Sequence, residues 1–167
     1  MGASPELMTG LGAAAAMFLS AVGSCHGSVH GGLYAVRQAK FHFLHFVPVI
    51  IAGVLSIYGI IISVILSSKL TNADKAMTEM DGYRYLSAGL VVGLACLVSG
   101  VGIGKFMELQ QHVSVPPFTN GATPQETDPL LPAQGKRADV AKTFLVLVFL
   151  EAIGLYGLIV ALILSYN

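Results

Sequence analysis

Phe144–Ser165 reads FLVLVFLEAIGLYGLIVALILS, twenty-two residues in which one carboxylate, Glu151, interrupts an otherwise apolar run. At 1.5 Å of rise per residue, about 20 residues cross a hydrocarbon core of about 30 Å, so this stretch reads as a membrane-spanning helix. Glu151 then lies at membrane depth. A charged side chain there costs roughly 2.5–3.5 kcal/mol on insertion scales, and ionisable residues in such segments mark ion pathways and proton relays. A purely structural reading would pair Glu151 with a base on a neighbouring helix. The other spans read from the sequence hold no Lys, Arg or Asp to serve as that base.

The whole chain agrees with this reading. It is 54% hydrophobic and 11% charged, carries no net charge, and has a mean hydropathy of +0.74 over 167 residues. Such a composition belongs to an integral membrane protein, and the length suits about four spans with short connections. A clustered basic surface for nucleic acid is absent, so no nucleic-acid partner is expected. The opening MGASPELMTG carries Glu6 and no basic residue, unlike the positive leader of a cleavable signal peptide, so the first helix is expected to stay. Gly2 invites a myristoylation reading, which fails because Glu6 stands where that pattern wants Ser or Thr.

The first span lies within Leu7–Val36, which contains no Asp, Glu, Lys or Arg, and its Gly23, Gly27 and Gly31 recur every four residues. That spacing makes a flat helix face on which another backbone can approach closely. A second span is expected from about Phe41 to Ser68, with Pro48 tolerated near its start. Residues 69–84 (KLTNADKAMTEMDGYR) read as a short polar loop. The third span, Tyr85–Gly104, repeats the small-residue strips at Gly89, Gly93, Gly100 and Gly104 and is expected to be the shortest of the four. Next comes VSVPPFTNGATPQETDPLLPAQGKR, which holds five of the seven prolines and reads as a loop, its residues 113–135 dispensable for ion chemistry. The helix with Glu151 follows over 143–165.

The halves repeat. Ile57–Ser67 is IYGIIISVILS and Leu155–Ser165 is LYGLIVALILS, an offset of 98, while Gly23 and Gly27 match Gly100 and Gly104 at an offset of 77. The difference, 21 residues, is the excess length of the proline-rich connection. Two tandem hairpins are therefore expected, residues 1–77 without a carboxylate and residues 78–167 with an extended loop over 105–142 and the proton-binding helix over 143–165. Gly53 falls at the position of Glu151. Each unit has two spans, so the repeat is direct and both copies enter from the same side. Six basic residues flank the first and third connections (Arg37, Lys40, Lys105, Lys136, Arg137, Lys142) and three the second (Lys69, Lys75, Arg84). The positive-inside rule puts loops one and three in the cytosol and the termini on the lumenal side.

FLEAIGLYGLIVALILS in the fourth helix, VPVIIAGVLSIYGII in the second and the Gly-rich first and third helices together resemble the proteolipid c subunits of vacuolar-type proton-pumping ATPases, over nearly the whole chain. The resemblance implies an all-α membrane protein of four helices that assembles into a ring, its Gly-rich helices inside and its carboxylate helix at the membrane-contacting rim. Glu151 matches the family's proton-carrying Glu, and Tyr58 is expected to support it. Gly53 favours the c or c-prime type over c-double-prime. The family's partners are other proteolipids in the ring, a stationary membrane subunit that supplies an arginine and proton half-channels, a cytosolic central-stalk subunit and the lipid bilayer. ATP hydrolysis in a soluble sector drives rotation, so the chain is not expected to be an enzyme alone. No cofactor is implied, the transported ion is H⁺, and the setting is an acidic endomembrane such as a vacuole or lysosome.

Residue chemistry supports a proton carrier independently. Hydrocarbon favours the neutral form of a carboxyl, so Glu151 can hold a proton while facing lipid and needs a cation or water nearby to release it. The helical neighbours Leu147, Val148, Gly154 and Leu155 offer no ligand to sodium, nor do Val54 and Leu55 on the second helix. His26, His30, His42 and His45 gather towards one membrane face beside Cys25, but interfacial histidines are usually solvated or paired, and no metal is expected. Cys25 and Cys96 differ in depth by about 9 Å at helical rise, too far for a disulfide, and read as packing residues. Two rival functions fit less well. A four-span junction protein leaves the lone Glu151 unexplained, and a membrane enzyme wants a second catalytic group at depth.

Overall fold

The computed structural model describes residues 4–37, 43–71, 77–114 and 134–166. Among them run four helices, α1 (Pro5–Arg37), α2 (Val47–Thr71), α3 (Glu79–Ser114) and α4 (Gln134–Tyr166), with a short 3-10 turn at Phe43–Phe46 ahead of α2. All four are long and apolar enough to cross a membrane. Their β-branched runs are poor helix formers in water, but hydrocarbon offers the backbone no other hydrogen-bond partner, and the helix satisfies every peptide group internally.

Helix ends depart from the sequence reading at several points, each for a local reason. α2 starts at Val47 and not near Phe41, because the ring of Pro48 clashes with the carbonyl four residues earlier and allows Pro only in a first turn. Its far end runs past Ser68 to Thr71, where the Ser68 and Thr71 hydroxyls donate to the carbonyls of Ile65 (2.8 Å) and Ser67 (2.9 Å). Residues 79–84, expected in a loop, are the first turns of α3. Asp81 caps its start: the Thr78 N–H donates to Asp81 Oδ2 at 3.2 Å, and the Asp81 N–H closes a backbone turn on the Thr78 carbonyl at 3.0 Å.

α3 is also the longest helix, at 36 residues, and not the shortest. Its charged continuation beyond Gly104 is built from good helix formers, with Lys105 paired to Glu108 at 3.2 Å one turn on. It ends at Ser114, just short of Pro116, where the chain must leave the helical region. The expected loop over 105–142 is thus too wide on both sides, since 105–114 and 134–142 are helical. The remainder of that connection, 115–133, lies outside the described residues.

α1 and α3 make the most intimate contact, α2 lies on α1, and α4 lies on α3. Glycines set the central spacing. Gly100 abuts Gly23 so closely that a Cβ built on Gly100 falls within 2.7 Å of the Gly23 Cα, and Gly89 meets Gly12 in the same way. Residues 77 apart therefore sit side by side, which runs α1 and α3 parallel at one depth. Gly31 receives Pro48 of α2. Around this seam the core is apolar, with Leu55, Ile62, Leu66, Ile103, Met107 and Leu147 buried. Because rigid backbone faces Gly100, Gly100→Ala should overpack the seam and destabilise the fold by about 1–3 kcal/mol. Gly32→Ala, where a Cβ meets nothing within 4 Å, should be neutral or stabilising. Thermal unfolding of the two variants in detergent checks the contrast: equal midpoints would contradict it.

Candidate ion-carrying site

Glu151 is the tenth residue of the 25-residue apolar segment Lys142–Tyr166 of α4, half-buried on the side towards α2. Its partner there is Tyr58, whose O–H donates to Glu151 Oε1 at 3.2 Å across 93 residues of sequence. The partner is a phenol and not a cation. A guanidinium or ammonium in that place would hold the acid ionised, whereas a phenol carries no charge and can donate both to a carboxylate, more strongly, and to the carbonyl oxygen of a protonated acid.

Three helices converge at the next turn. A Cβ on Gly154 would lie 2.6 Å from Leu55 Cδ2 on α2, and 3.7 Å from Cys96 Sγ and 3.8 Å from Ser99 Cβ on α3. The missing side chain at Gly154 is what lets Leu55 and Cys96, both buried, close over the apolar end of the site. The Ser99 hydroxyl donates to the carbonyl of Leu150, the residue before Glu151, while the Leu150 side chain covers Gly102. Gly157 abuts Ala95 one turn further on. α3 thus fixes the backbone that carries Glu151, and α2 meets its carboxyl.

No family model matches the chain. Among curated proteins, the V-type proton ATPase subunit c' of Saccharomyces cerevisiae is 32% identical over 160 residues, 92% of this chain and 84% of the relative. The V-type proton ATPase 16 kDa proteolipid subunit c of Nephrops norvegicus is 34% identical over 158 residues, 92% and 87% of the two chains. That of Rattus norvegicus is 34% identical over 159 residues, 93% and 88%. The chain belongs to the V-type proton ATPase proteolipid family.

In this V-type proteolipid the residues singled out from the sequence separate into distinct places. Tyr58 and Glu151 meet. Gly53, at the repeat position of Glu151, faces open space, with nothing within 4 Å of a built Cβ. His26 and His30 lie against each other with their rings tilted by 54° and their centroids 4.6 Å apart, over Gly104, whereas His45 lies edge-on to Tyr34 at 6.0 Å. Among the described residues no three His, Cys, Asp or Glu come together as a metal group, and His42 lies outside them. Both cysteines are free; Cys96 is buried as a packing residue, but Cys25 is exposed, which corrects its reading as one. Cys25 sits one residue past the Gly23–Ser24 face that α3 covers, a rotation of about 100° on the helix, and so faces outward. Sequence reasoning missed Ser99 and its bond to Leu150. A small hydroxyl in an apolar helix beside Gly100 was the available signal.

Proposed function

We propose that this chain is a rotor subunit of a vacuolar-type ATPase and that Glu151 takes up and releases one proton as a ring of such subunits turns. The observation that carries the proposal is a lone carboxyl at membrane depth whose partner is the Tyr58 phenol. Tyr58 orients the acid, Ser99 steadies the backbone behind it, and hydrocarbon holds the proton in place until the carboxyl reaches a fixed cation. That cation comes from a stationary membrane subunit bearing an arginine, which also supplies aqueous half-channels on either side. A central-stalk subunit transmits torque from ATP hydrolysis elsewhere in the complex. The chain itself hydrolyses nothing and uses no cofactor. Two duplicated hairpins make one protomer, with loops one and three in the cytosol and the termini in the lumen of an acidic compartment.

The proposed cargo is H⁺. A sodium ion wants several oxygen ligands, and beside the Glu151 carboxyl the helices present the single Tyr58 hydroxyl together with Leu55 and Gly154; the Ser99 hydroxyl is turned to the Leu150 carbonyl. Sodium at constant pH should therefore leave the reaction of Glu151 with a hydrophobic carbodiimide unchanged. Protection by sodium, read by mass spectrometry of the modified peptide, would overturn the assignment.

Tyr58→Phe keeps the ring and removes the donor. A net hydrogen bond of about 0.5–1.5 kcal/mol corresponds to a loss of roughly two- to tenfold in transport, with assembly intact. Unchanged ATP-driven acidification would show that Tyr58 is packing alone.

A further inference from the structure

His26 and His30 stand one turn apart on α1, on the side that meets α3, with ring centroids 4.6 Å apart and planes tilted by 54°. A Cβ built on Gly104 of α3 falls 2.6 Å from His26 Cδ2, 2.9 Å from His26 Nε2 and 3.3 Å from His30 Cδ2. Cδ2 is bonded to Nε2 in an imidazole. Both rings therefore turn the edge that bears Nε2 to one notch, where α3 has no side chain. The seam sets residues 77 apart side by side, so the pair lies level with Ile103 and Met107, on either side of the exposed Lys105. That is the depth at which the chain turns charged and dissolved ions can reach it.

Neither ring is otherwise engaged. Both side chains are half-buried, and among the described residues neither ring makes a hydrogen bond or an ion pair. No buried side-chain nitrogen there lacks a partner, so the ring nitrogens are open to a ligand from outside the protomer. The ground for expecting no metal was that interfacial histidines are solvated or paired with other groups; these two meet only each other. The polar groups nearby are committed elsewhere. Lys105 holds Glu108 at 3.2 Å, and Arg37 donates to Gln111 at 2.9 Å, whose amide in turn donates to the His30 carbonyl at 3.4 Å.

Two imidazoles one turn apart chelate late first-row divalent ions. With about 2.1 Å from metal to nitrogen and about 1.1 Å more to each ring centre, the 4.6 Å separation subtends about 95° at a shared ion. That is nearer the right angle of a tetragonal site than the angle of about 109° of a tetrahedral one, which favours Cu²⁺ or Ni²⁺ over Zn²⁺. We propose that His26 and His30 form a two-imidazole site for Cu²⁺ or Ni²⁺ on the α1–α3 seam. Gly104 provides the gap in which the two Nε2 atoms converge, and water completes the coordination. The ion fastens one turn of α1 and takes no part in carrying protons at Glu151, so the site stands or falls apart from the rotor reading.

Pulsed electron paramagnetic resonance of Cu²⁺ added to the full chain in lipid nanodiscs tests the site, in a Cys25→Ser background that keeps the exposed thiol from reducing the copper. One Cu²⁺ per chain with two coordinated imidazoles is expected. His26→Asn or His30→Asn should leave one imidazole and weaken binding. Gly104→Ala, whose methyl would push against the ring edges, should weaken binding with both histidines present. No bound copper, a single imidazole in the parent protein, or two imidazoles retained when both histidines are Asn would each overturn the site. If the Asn variants fail to fold, modification of the native protein by diethyl pyrocarbonate decides instead. Ni²⁺ should then protect His26 and His30 but not His45, read by peptide mass, and equal modification of all three with and without Ni²⁺ would overturn the site.

Discussion

Glu151→Gln is expected to abolish proton transport while leaving the protein inserted, folded and assembled. The amide is nearly the size of the acid and its carbonyl oxygen still accepts from Tyr58, so the contact between α2 and α4 survives. Neither Leu150, clasped by Ser99, nor Leu55 over Gly154 senses the change. What disappears is the acidic proton at residue 151. ATP-driven acidification of vesicles containing the variant should fall to background, with subunit content and oligomer size equal to wild type. Glu151→Asp should keep reduced transport, because the acid survives on an arm one methylene shorter and further from the Tyr58 hydroxyl. Normal acidification by an assembled Gln variant would contradict the assignment of Glu151 as the carrier.

Gly53→Glu is expected to change the gearing of the pump. If a full turn of the ring is coupled to a fixed number of ATP, the energy per proton is that of those ATP divided by the number of carboxyls in the ring. One Glu for every four helices makes each step energetic, suited to driving protons against a steep gradient, where one charge costs about 2.3 kcal/mol per 100 mV. A second carboxyl at residue 53 doubles the carriers. Within the protomer there is room for it, since nothing lies within 4 Å of a Cβ at that position. The variant should move roughly twice the protons per ATP and stall at about half the electrochemical gradient, on the same scale of energy per charge. The limiting pH difference at fixed ATP, measured together with the proton-to-ATP ratio, checks this. A doubled ratio with an unchanged limit would refute the gearing argument.

The features legible in the sequence are those encoded by composition and by repetition. Glu151 stood out because one carboxylate in an apolar run has no neutral explanation, and the pairing with Tyr58 followed from a resemblance that the repeat made visible in the letters. The glycine strips announced the α1–α3 seam, where Gly23 and Gly100 touch. Boundaries were harder, because apolarity marks the part of a helix inside the membrane and says nothing of the part outside it. α3 continues through Lys105 and Glu108 to Ser114, and α4 begins at Gln134, both in polar sequence that reads as loop when prolines are near. The helix start at Thr78, capped by Asp81, was available in TEMD, yet the mixed charges around it masked the signal. Ser99 could not be placed beside Leu150 from sequence, because that contact depends on how α3 turns towards α4, a property of packing between distant segments.

The most direct test is to follow modification of Glu151 by a hydrophobic carbodiimide alongside ATP-driven proton transport in the same membranes. Only a protonated carboxyl in an apolar setting reacts well, and on the proposed mechanism every carboxyl of the ring must pass the same stationary cation. Transport should therefore vanish while only a fraction of Glu151 has reacted and the acids outside the membrane, such as Glu79 and Asp81, are untouched. Transport that persists after every Glu151 has been modified would contradict the carrier role.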